Sequence, residues 1–342
     1  MKRAADRRTS LPSINTAIVP IEEVPSGAGT VPVASGPTES LEFRNQALDA
    51  DECKELAASL SDCNRTVTAL DLGDARVASL TPLLAAIEQR GTVRSLNLGG
   101  MGIVREGRAT ALWPHHWNVL GRLLAKGQLT QLDLSQHPFS SPGEPVRAKD
   151  LRPLLDGLSQ SQSLVHLSLA NSALTGEGLK LVGAALQRQQ QQLAESSLFP
   201  RYANGLHSLD LSGNGAIDYK AADEFISGLS SNKSLTTLDM KGVCVKDGCH
   251  LWTPAYFMLE SNSTLLYLKL PSNPMGDPMC VAAIGLMIEN RKMAAAVAGR
   301  QRSRDPRREM HLCLRSRQVP EVFCREIGDV MSNIAMRVHG VV

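Results

Sequence analysis

The sequence predicts an α/β fold: a curved, horseshoe-shaped solenoid with parallel strands on the concave face and helices on the convex face. Three observations predict it. A short pattern with leucine at its fourth and sixth positions returns about every 29 residues, with insertions. Residues two apart lie on the same face of a strand, so these leucines share one face. Helical apolar spacing follows the strands, and stacked strand–helix units bury together what one unit cannot bury alone.

The pattern occurs about nine times, seven times in full and twice in degenerate form at the two ends. We number its residues from one, so that in the copy VTALDL (67–72) Leu70 is position 4 and Leu72 is position 6. The nine position-4 leucines are Leu41, Leu70, Leu96, Leu132, Leu167, Leu209, Leu238, Leu268 and Leu312. The sequence therefore predicts about nine repeats.

The repeat domain is predicted to span residues 38–342. Residues 1–37 hold prolines and glycines without any period, which indicates a disordered N-terminal tail. A helix is predicted after Asp49, because acidic residues favour a helix N-terminus. Another is predicted over 178–186 from its apolar residues at helical spacing.

Three insertions interrupt the period, at about 140–149, 189–205 and 291–308. Insertions in solenoids form loops or lengthen one helix. The second is compatible with a long helix, because Gln, Ala and Leu favour that structure. The third is rich in arginine, and a solvated loop is the favoured interpretation, with an acidic or phosphate-rich partner as the alternative. Apolar residues at intervals of three and four predict a C-terminal capping helix at about 320–342.

The chain resembles the ribonuclease-inhibitor-like subtype of the leucine-rich repeat family. The resemblance rests on the leucines, on the spacing near 29 residues, and on asparagine at position 9 in two copies, Asn214 and Asn273. It implies that this asparagine bonds backbone groups in the loop and tightens the stack. Five other copies depart from the family pattern, so their turns are expected to lack the side-chain bond. The residues at that position are Ala75, Met101, His137, Ser172 and Val243.

Composition argues against several functional classes. A net charge of +2 and an aromatic content of 4% make nucleic-acid binding an unfavoured function. The longest apolar run, 279–288, is too short to span a bilayer. Seven cysteines without regular spacing indicate reduced thiols. We therefore expect a soluble, cytoplasmic protein.

Acidic residues recur at position 5, which alternates with the leucines and points away from the core. A row of carboxylates repels itself, and a basic partner would relieve that repulsion. Aspartate is also frequent at this position in the family, so a purely structural role stays open. The predicted partner-binding residues of the concave face are Asp71, Asp133, His166, His207, Asp210, Asp239, Tyr267 and Lys269. We expect Tyr267 to be the main anchor, and we expect charge reversal at Asp133 and Asp210 to weaken binding without changing stability.

No metal site or cofactor is predicted. In the segment 113–117, WPHHW, neighbouring histidines on a helix are expected to point in different directions and not to share a metal. Pro114 is expected to begin a helix, with Trp117 packed inward. Cys244, Cys249 and His250 lack a second cysteine pair, which favours structural thiols.

These observations favour a non-enzymatic scaffold or adaptor that binds a protein on its concave face. The sequence contains no nucleophile elbow, phosphate-binding loop or dinucleotide fingerprint. Two alternatives remain. One is a leucine-rich repeat activator of small GTPases, in which Arg76 or Arg105 would stabilise phosphoryl-transfer charge. The other is a cytoskeletal or axonemal subunit.

Overall fold

The computed structural model describes residues 38–105, 108–110, 112–137, 148–196, 205–245, 251–271 and 278–303. The tail predicted at 1–37, the ninth leucine pattern and the capping helix predicted at 320–342 lie outside the described residues, as does Asn273.

Helices and strands alternate along the described part of the chain. The helices are α1 (Ala50–Ser61), α2 (Thr81–Arg90), α3 (Pro114–Ala125), α4 (Ala148–Gln160), α5 (Gly176–Ser196), α6 (Tyr219–Gly228), α7 (Trp252–Ser261) and α8 (Pro278–Ser303). The strands are β1 (Thr38–Glu42), β2 (Ala47–Leu48), β3 (Thr66–Asp71), β4 (Arg76–Val77), β5 (Ser95–Asn97), β6 (Gly102–Arg105), β7 (Arg108–Thr110), β8 (Gln131–Asp133), β9 (His166–Ser168), β10 (Ser208–Asp210), β11 (Ala216–Ile217), β12 (Thr237–Asp239), β13 (Cys244–Val245) and β14 (Tyr267–Lys269).

Eight of the described strands form one parallel sheet, in the order β1-β3-β5-β8-β9-β10-β12-β14. Their register pairs each position-4 leucine with the next one along the chain. The pairs run from Leu41 opposite Leu70 to Leu238 opposite Leu268 without a slip at the leucines. The predicted α/β solenoid is confirmed.

The leucines of the pattern line a single interior between this sheet and the helices. Leu70 and Leu132 are each 2% exposed, Leu209 is fully buried, and all three belong to one continuous apolar cluster. Leu268 packs against the same cluster but is only partly buried. All the described repeats share this core, so no second core divides the described part of the chain.

Two smaller sheets lie beyond the turns that follow the long sheet. One has the order β2-β4-β6-β7 and the other joins β11 to β13. Each of these strands except β7 contains at least one large aliphatic residue: Leu48, Val77, Ile103, Ile217 or Val245. The antiparallel pair β6–β7 is a local hairpin that the sequence analysis did not predict.

Asn214 is buried and bonds four backbone groups, as the family resemblance implied. Its Oδ1 accepts from the amides of Ser172 and Leu174, at 3.0 and 2.9 Å. Its Nδ2 donates to the carbonyls of Leu169 and Leu211, at 2.9 and 2.7 Å. These bonds connect two successive repeats through one side chain.

The expectation that the other turns lack such a bond was wrong at two positions. Ser172 Oγ donates to the carbonyl of Leu134, one repeat earlier, at 3.1 Å. The His137 Nε2 atom contacts the carbonyl of Leu98 in the same way. Both side chains are buried, and each brings a polar atom to a backbone carbonyl of the preceding repeat. The contact between repeats is therefore kept, although the side chain is not asparagine.

Position 8 of the pattern adopts the left-handed backbone conformation in seven successive repeats. These residues are Asn45, Asp74, Gly100, Gln136, Asn171, Gly213 and Gly242. Gly, Asn and Asp tolerate positive φ best, and six of the seven are of those types. The turn that leads out of each strand is therefore repeated in backbone shape as well as in sequence.

Two of the insertions lengthen helices. The second continues α5 to Ser196. Within this extension, Gln189 donates to the carbonyls of Leu158 and Ser161 in the preceding repeat. Residues 291–303 of the third continue α8, so this part of the arginine-rich segment is helical and not the loop that was favoured. The first insertion lies largely outside the described residues.

Candidate functional site

Two rows of side chains stand on the sheet face that points away from the core, because positions 3 and 5 alternate with the leucines. The first row, at position 3, is Ser40, Ala69, Ser95, Gln131, His166, Ser208, Thr237 and Tyr267. The second row, at position 5, is Glu42, Asp71, Asn97, Asp133, Ser168, Asp210, Asp239 and Lys269. Direct register pairing places each member beside the next.

One oxygen of each aspartate in the second row is committed to the backbone. In every case Oδ1 accepts a hydrogen bond from the amide two residues later, which closes the turn after the strand. The bonds are Asp71 to Gly73, Asp133 to Ser135 and Asp210 to Ser212, all 2.8 Å, and Asp239 to Lys241, 2.9 Å. The aspartates therefore have a structural role as well as a charge.

Asn97 makes the same turn-closing bond without a charge. Its Oδ1 accepts from the amide of Gly99 at 2.9 Å, while its Nδ2 donates to Asp71 Oδ1 at 2.9 Å. Replacing an aspartate of this row with asparagine should therefore keep the turn-closing hydrogen bond. Lysine has no side-chain oxygen to accept that bond. The structure thus changes the earlier expectation about charge reversal: lysine at positions 133 and 210 should lower stability as well as binding.

Charge pairing divides the second row into two parts. At its C-terminal end, Lys269 Nζ lies 2.7 Å from Asp239 Oδ2, and this hydrogen bond and charge raise the pKa of Lys269, with Asp210 adding to the effect. Within the described residues, no cation lies at ion-pair distance from Asp71, Asp133 or Asp210. The unneutralised carboxylates therefore belong to β3, β8 and β10.

A groove of about 410 Å³ runs over these strands. Most of its lining side chains in the first row are small. Its floor includes the strand residues Leu70, Leu96, Leu132 and Leu167, whose side chains point to the core on the other face. Four predicted site residues line it: Asp71, Asp133, His166 and Asp210. We call this groove, which lies over β1, β3, β5, β8, β9 and β10, the acidic groove.

The remaining predicted site residues lie beside the acidic groove. Asp239, Tyr267 and Lys269 continue the two rows on β12 and β14. His207 directly precedes β10 and its Nδ1 lies 2.6 Å from the carbonyl of Gly205. Burial and the neighbouring His207 lower the pKa of His166.

Tyr267 is 54% exposed, and one face of its ring is covered by the ammonium of Lys292, 4.5 Å from the ring centroid. Lys292 lies on α8, so its position over the ring could not be read from the strand pattern. Asn97 and Gln131 also line the groove, although they were not among the predicted partner-binding residues. The period of two in each strand is the signal that would have included them.

The two histidines of α3 converge, contrary to expectation. Their ring centroids are 3.9 Å apart, and both Nε2 atoms face Thr81 Oγ1, at 3.3 Å from His115 and 3.4 Å from His116. His116 Nδ1 accepts from the Trp113 amide at 3.1 Å, so its proton is on Nε2 and that nitrogen is no ligand. The described residues contain no cluster of three metal-binding side chains. Pro114 begins α3 and Trp117 is buried, as predicted.

His116 should make the protein less stable in mild acid. Burial, with a contribution from His115, lowers the pKa of His116 from 6.5 to about 4. Between these values the unfolded chain binds a proton that the folded chain does not, so stability is lost as pH falls from 6.5 towards 4. We expect a loss of about 2 kcal/mol from this group.

The measurement is the urea midpoint between pH 7.5 and 4.5. His116→Gln keeps an acceptor for the Trp113 amide and should flatten the decline, whereas His115→Gln should leave most of it. An unchanged slope in the His116 variant would contradict the assignment.

Arg76 and Arg105, the candidates for GTPase activation, begin β4 and end β6. Neither strand belongs to the long sheet, and Arg76 does not line the acidic groove, whereas the side chain of Arg105 lies outside the described residues. Of the cysteines whose side chains are described, Cys53 is buried and Cys63 is exposed, both as free thiols. The side chain of Cys244 and residues 246–250 lie outside the described part of the chain.

No described helix is long and apolar enough to cross a membrane.

Comparison with known proteins places the repeat in context. A family described as "Leucine Rich repeat" matches residues 160–183, which run from the end of α4 through β9 into α5. The match does not separate the ribonuclease-inhibitor-like subtype from others, so the subtype stays a prediction.

A mouse protein called centrosomal protein of 78 kDa is 29% identical over 213 residues, covering 51% of this chain and 26% of the mouse protein. The chain spans about a quarter of the length of the curated relatives it matches. Among solved structures, the tropomodulin C-terminal domain of Caenorhabditis elegans has a TM-score of 0.42 at 11% identity, covering 55% of this chain and 99% of that one. An internalin of Listeria monocytogenes has a TM-score of 0.37 at 14% identity, covering 70% and 62%.

Proposed function

We propose that this leucine-rich repeat protein is a non-enzymatic scaffold that binds a partner protein with a basic surface along the acidic groove. One observation carries the proposal. Asp71, Asp133 and Asp210 point onto the same groove, and within the described residues no cation lies at ion-pair distance from them. The pattern of alternating acidic and neutral positions gives a partner three separate places for lysine or arginine.

The turn-closing hydrogen bonds preorganise these carboxylates for binding. Because Oδ1 is held by the chain's own amide, the orientation of each group is fixed before a partner arrives. Docking then loses little side-chain entropy, and the rigid sheet loses little more. Each partly exposed ion pair contributes about 0.2–1 kcal/mol, so the three together support a moderate affinity and mainly raise the association rate.

The residues beyond the acidic groove would act at its edge. Asp239 and Lys269 neutralise one another, so they favour a polar contact without net charge. The exposed part of Tyr267 offers aromatic area close to that pair. His166 and His207 complete the proposed contact set near its middle.

Removing the three charges while keeping the turns tests the proposal. We expect the triple variant Asp71→Asn/Asp133→Asn/Asp210→Asn to bind its partner between about threefold and about 150-fold more weakly, from about 0.2–1 kcal/mol per lost ion pair. Its melting temperature should stay close to that of the unchanged chain, since asparagine at position 97 already closes the same turn. Affinity purification of the full chain with quantitative mass spectrometry identifies the partner, and titration calorimetry measures the affinity.

The matched control is Glu55→Gln/Glu195→Gln/Glu260→Gln, which removes the same number of charges from exposed positions on helices α1, α5 and α7. This control should retain the partner. Equal loss in both variants would show that net charge matters and the groove does not, and no loss in the groove variant would refute the proposed site.

A cytoskeletal role is the second candidate, and the name of the mouse relative favours it. In that case the chain would be a cytoplasmic, centrosome-associated subunit. The same purification decides between the two: a centrosomal or filament protein that is captured by the unchanged chain and lost from the groove variant supports this candidate.

A further inference from the structure

The three unneutralised carboxylates of the acidic groove lie on alternate strands. Asp71, Asp133 and Asp210 belong to β3, β8 and β10, and the neutral residues Asn97 and Ser168 stand between them on β5 and β9. Neighbouring strands are about 4.8 Å apart, so the carboxylates recur at intervals of about 9.6 Å. A partner that contacts all three must therefore present a cation at nearly the same interval.

Glu42 adds a charge at one end of the acidic groove without changing this interval. It pairs with Asp71 in the register of the sheet and lies on β1, the first strand under the groove. Glu42 is exposed, whereas the three aspartates are partly buried. One cation of a partner can contact Glu42 and Asp71 together, so the spacing to the next contact stays the same.

The acidic groove is too narrow to enclose a helix. Its two walls are the side-chain rows at positions 3 and 5, which are two residues, or about 6.6 Å, apart along each strand. A helix with its side chains is about 10–12 Å across, so it would rest on top of the walls. A single extended chain needs a width of about 4.8 Å, the distance between neighbouring strands, and fits between them.

An extended chain in the acidic groove crosses the strands and cannot join the sheet. The strands from β3 to β10 are each paired with a neighbour on both sides, so their backbone groups are used within the sheet. The backbone of the occupant must therefore stay solvated. The polyproline II helix meets that condition, because it has no internal hydrogen bonds and its backbone is open to water.

The interval between the carboxylates favours the same conformation. Polyproline II has three residues per turn and rises about 3.1 Å per residue, so every third side chain faces the same way at intervals of about 9.3 Å. Side chains on one face of a strand recur at about 6.6 or 13.2 Å. Side chains seven residues apart on an α-helix recur at about 10.5 Å. The polyproline II interval is the closest of these to the spacing of the carboxylates.

The carboxylates line only one wall of the acidic groove. The first-row side chains that line the other wall include no carboxylate. On the acidic wall, the turn-closing bonds of Asp71, Asp133 and Asp210 use Oδ1, so Oδ2 is the oxygen that can accept from an ammonium or guanidinium group. An occupant therefore needs cations along one edge only, which a three-residue period supplies.

We infer that the acidic groove takes an extended segment of the partner in the polyproline II conformation, with lysine or arginine at every third residue. The inference rests on the proposed function, because it names the kind of segment that the same carboxylates bind. Successive cations contact Asp71, Asp133 and Asp210, and the two residues between them pass Asn97 or Ser168. Such a segment loses little backbone entropy, since polyproline II is a major conformer of unfolded chains.

Four blocked, fluorescein-labelled peptides with three lysines each test the spacing. Three are polyproline peptides of equal length with lysine at every second, third or fourth position, and the other is an alanine–glutamine helix with lysine at every seventh. In polyproline II, a spacing of two or four rotates successive lysines by a third of a turn, so only one faces the acidic wall. We expect the spacing of three to bind at least threefold more tightly than each other peptide, measured by fluorescence anisotropy with the full chain at low ionic strength.

The variant Asn97→Asp/Asp133→Asn is the matched change in the protein. It moves the middle carboxylate to the neighbouring strand, whereas the net charge and the turn-closing bonds are kept, because both residue types close this turn. We expect its affinity for the peptide with a spacing of three to fall at least twofold. An unchanged affinity would overturn the inference.

The peptides also separate this inference from the proposed function. Equal affinities for all four, tightest binding of the helical peptide, or no binding of any peptide would overturn the extended segment, and capture of the partner would still test the groove itself. Binding of every peptide that survives in the triple variant Asp71→Asn/Asp133→Asn/Asp210→Asn would instead refute the groove as the site.

Discussion

Replacing Gly157 with alanine is expected to destabilise the protein by about 2 kcal/mol, although alanine is the better helix former. Gly157 on α4 packs against Gly121 on α3, and a methyl group at Gly157 would overlap the backbone carbonyl of Gly121. Backbone atoms cannot rotate away, so the two helices must separate and loosen the core around them. The measurement is the urea-induced unfolding midpoint followed by circular dichroism.

Gly285→Ala is the matched control. It is also a glycine inside a helix, α8, but an added methyl group there would meet no atom within 4 Å. Helix propensity alone then applies, and we expect a gain of up to about 1 kcal/mol. Equal effects of the two substitutions would show that the close approach of α3 and α4 is not needed for stability.

Replacing Asn214 with alanine is expected to cost about 3 kcal/mol or more. The substitution leaves two buried amides and two buried carbonyls without partners, in two different repeats. Each unsatisfied buried group costs about 1–3 kcal/mol before relaxation or water entry reduces the total. Thermal unfolding measured by calorimetry checks this, because loss of an inter-repeat connection should lower the melting temperature.

Two further variants test whether the loss of stability comes from the four hydrogen bonds of Asn214 and not from replacing any asparagine. Asn118 is exposed on α3, and its replacement by alanine should change stability by less than about 0.5 kcal/mol. Asn214→Asp keeps the shape but turns a negative oxygen towards the carbonyls of Leu169 and Leu211, so it should also be strongly destabilising at neutral pH. A mild effect of Asn214→Asp would contradict the bonding scheme.

The arrangement of the strands could be predicted from the sequence because one physical period determines it. A slip of one residue would move Leu70 or Leu209 from the core to the solvent, so the leucines fix both register and face. The same period placed Asp71, Asp133 and Asp210 in one row on the opposite face, on alternate strands of the sheet. Position in the fold thus followed from local pattern, whereas a binding role for these residues stays a proposal.

Contacts between distant side chains could not be predicted in this way. The pairing of Lys292 with Tyr267 depends on where α8 returns over the end of the sheet. The use of His137 and Ser172 in place of asparagine depends on the distance to the preceding turn, which no spacing in the sequence reports. From the sequence alone, Gly121 and Gly157 would be expected only to weaken their helices. Their mutual contact in the fold explains why glycine occupies both positions.

Carbodiimide cross-linking of the complex is the sharpest test of binding at the acidic groove, because this reagent joins a carboxylate to a lysine only where the two already touch. We expect Asp71, Asp133 and Asp210 to form amide bonds with lysines of the captured partner, mapped by peptide mass spectrometry. Cross-links confined to carboxylates of the helices, such as Glu55, Glu195 and Glu260, with none from the acidic groove, would contradict it.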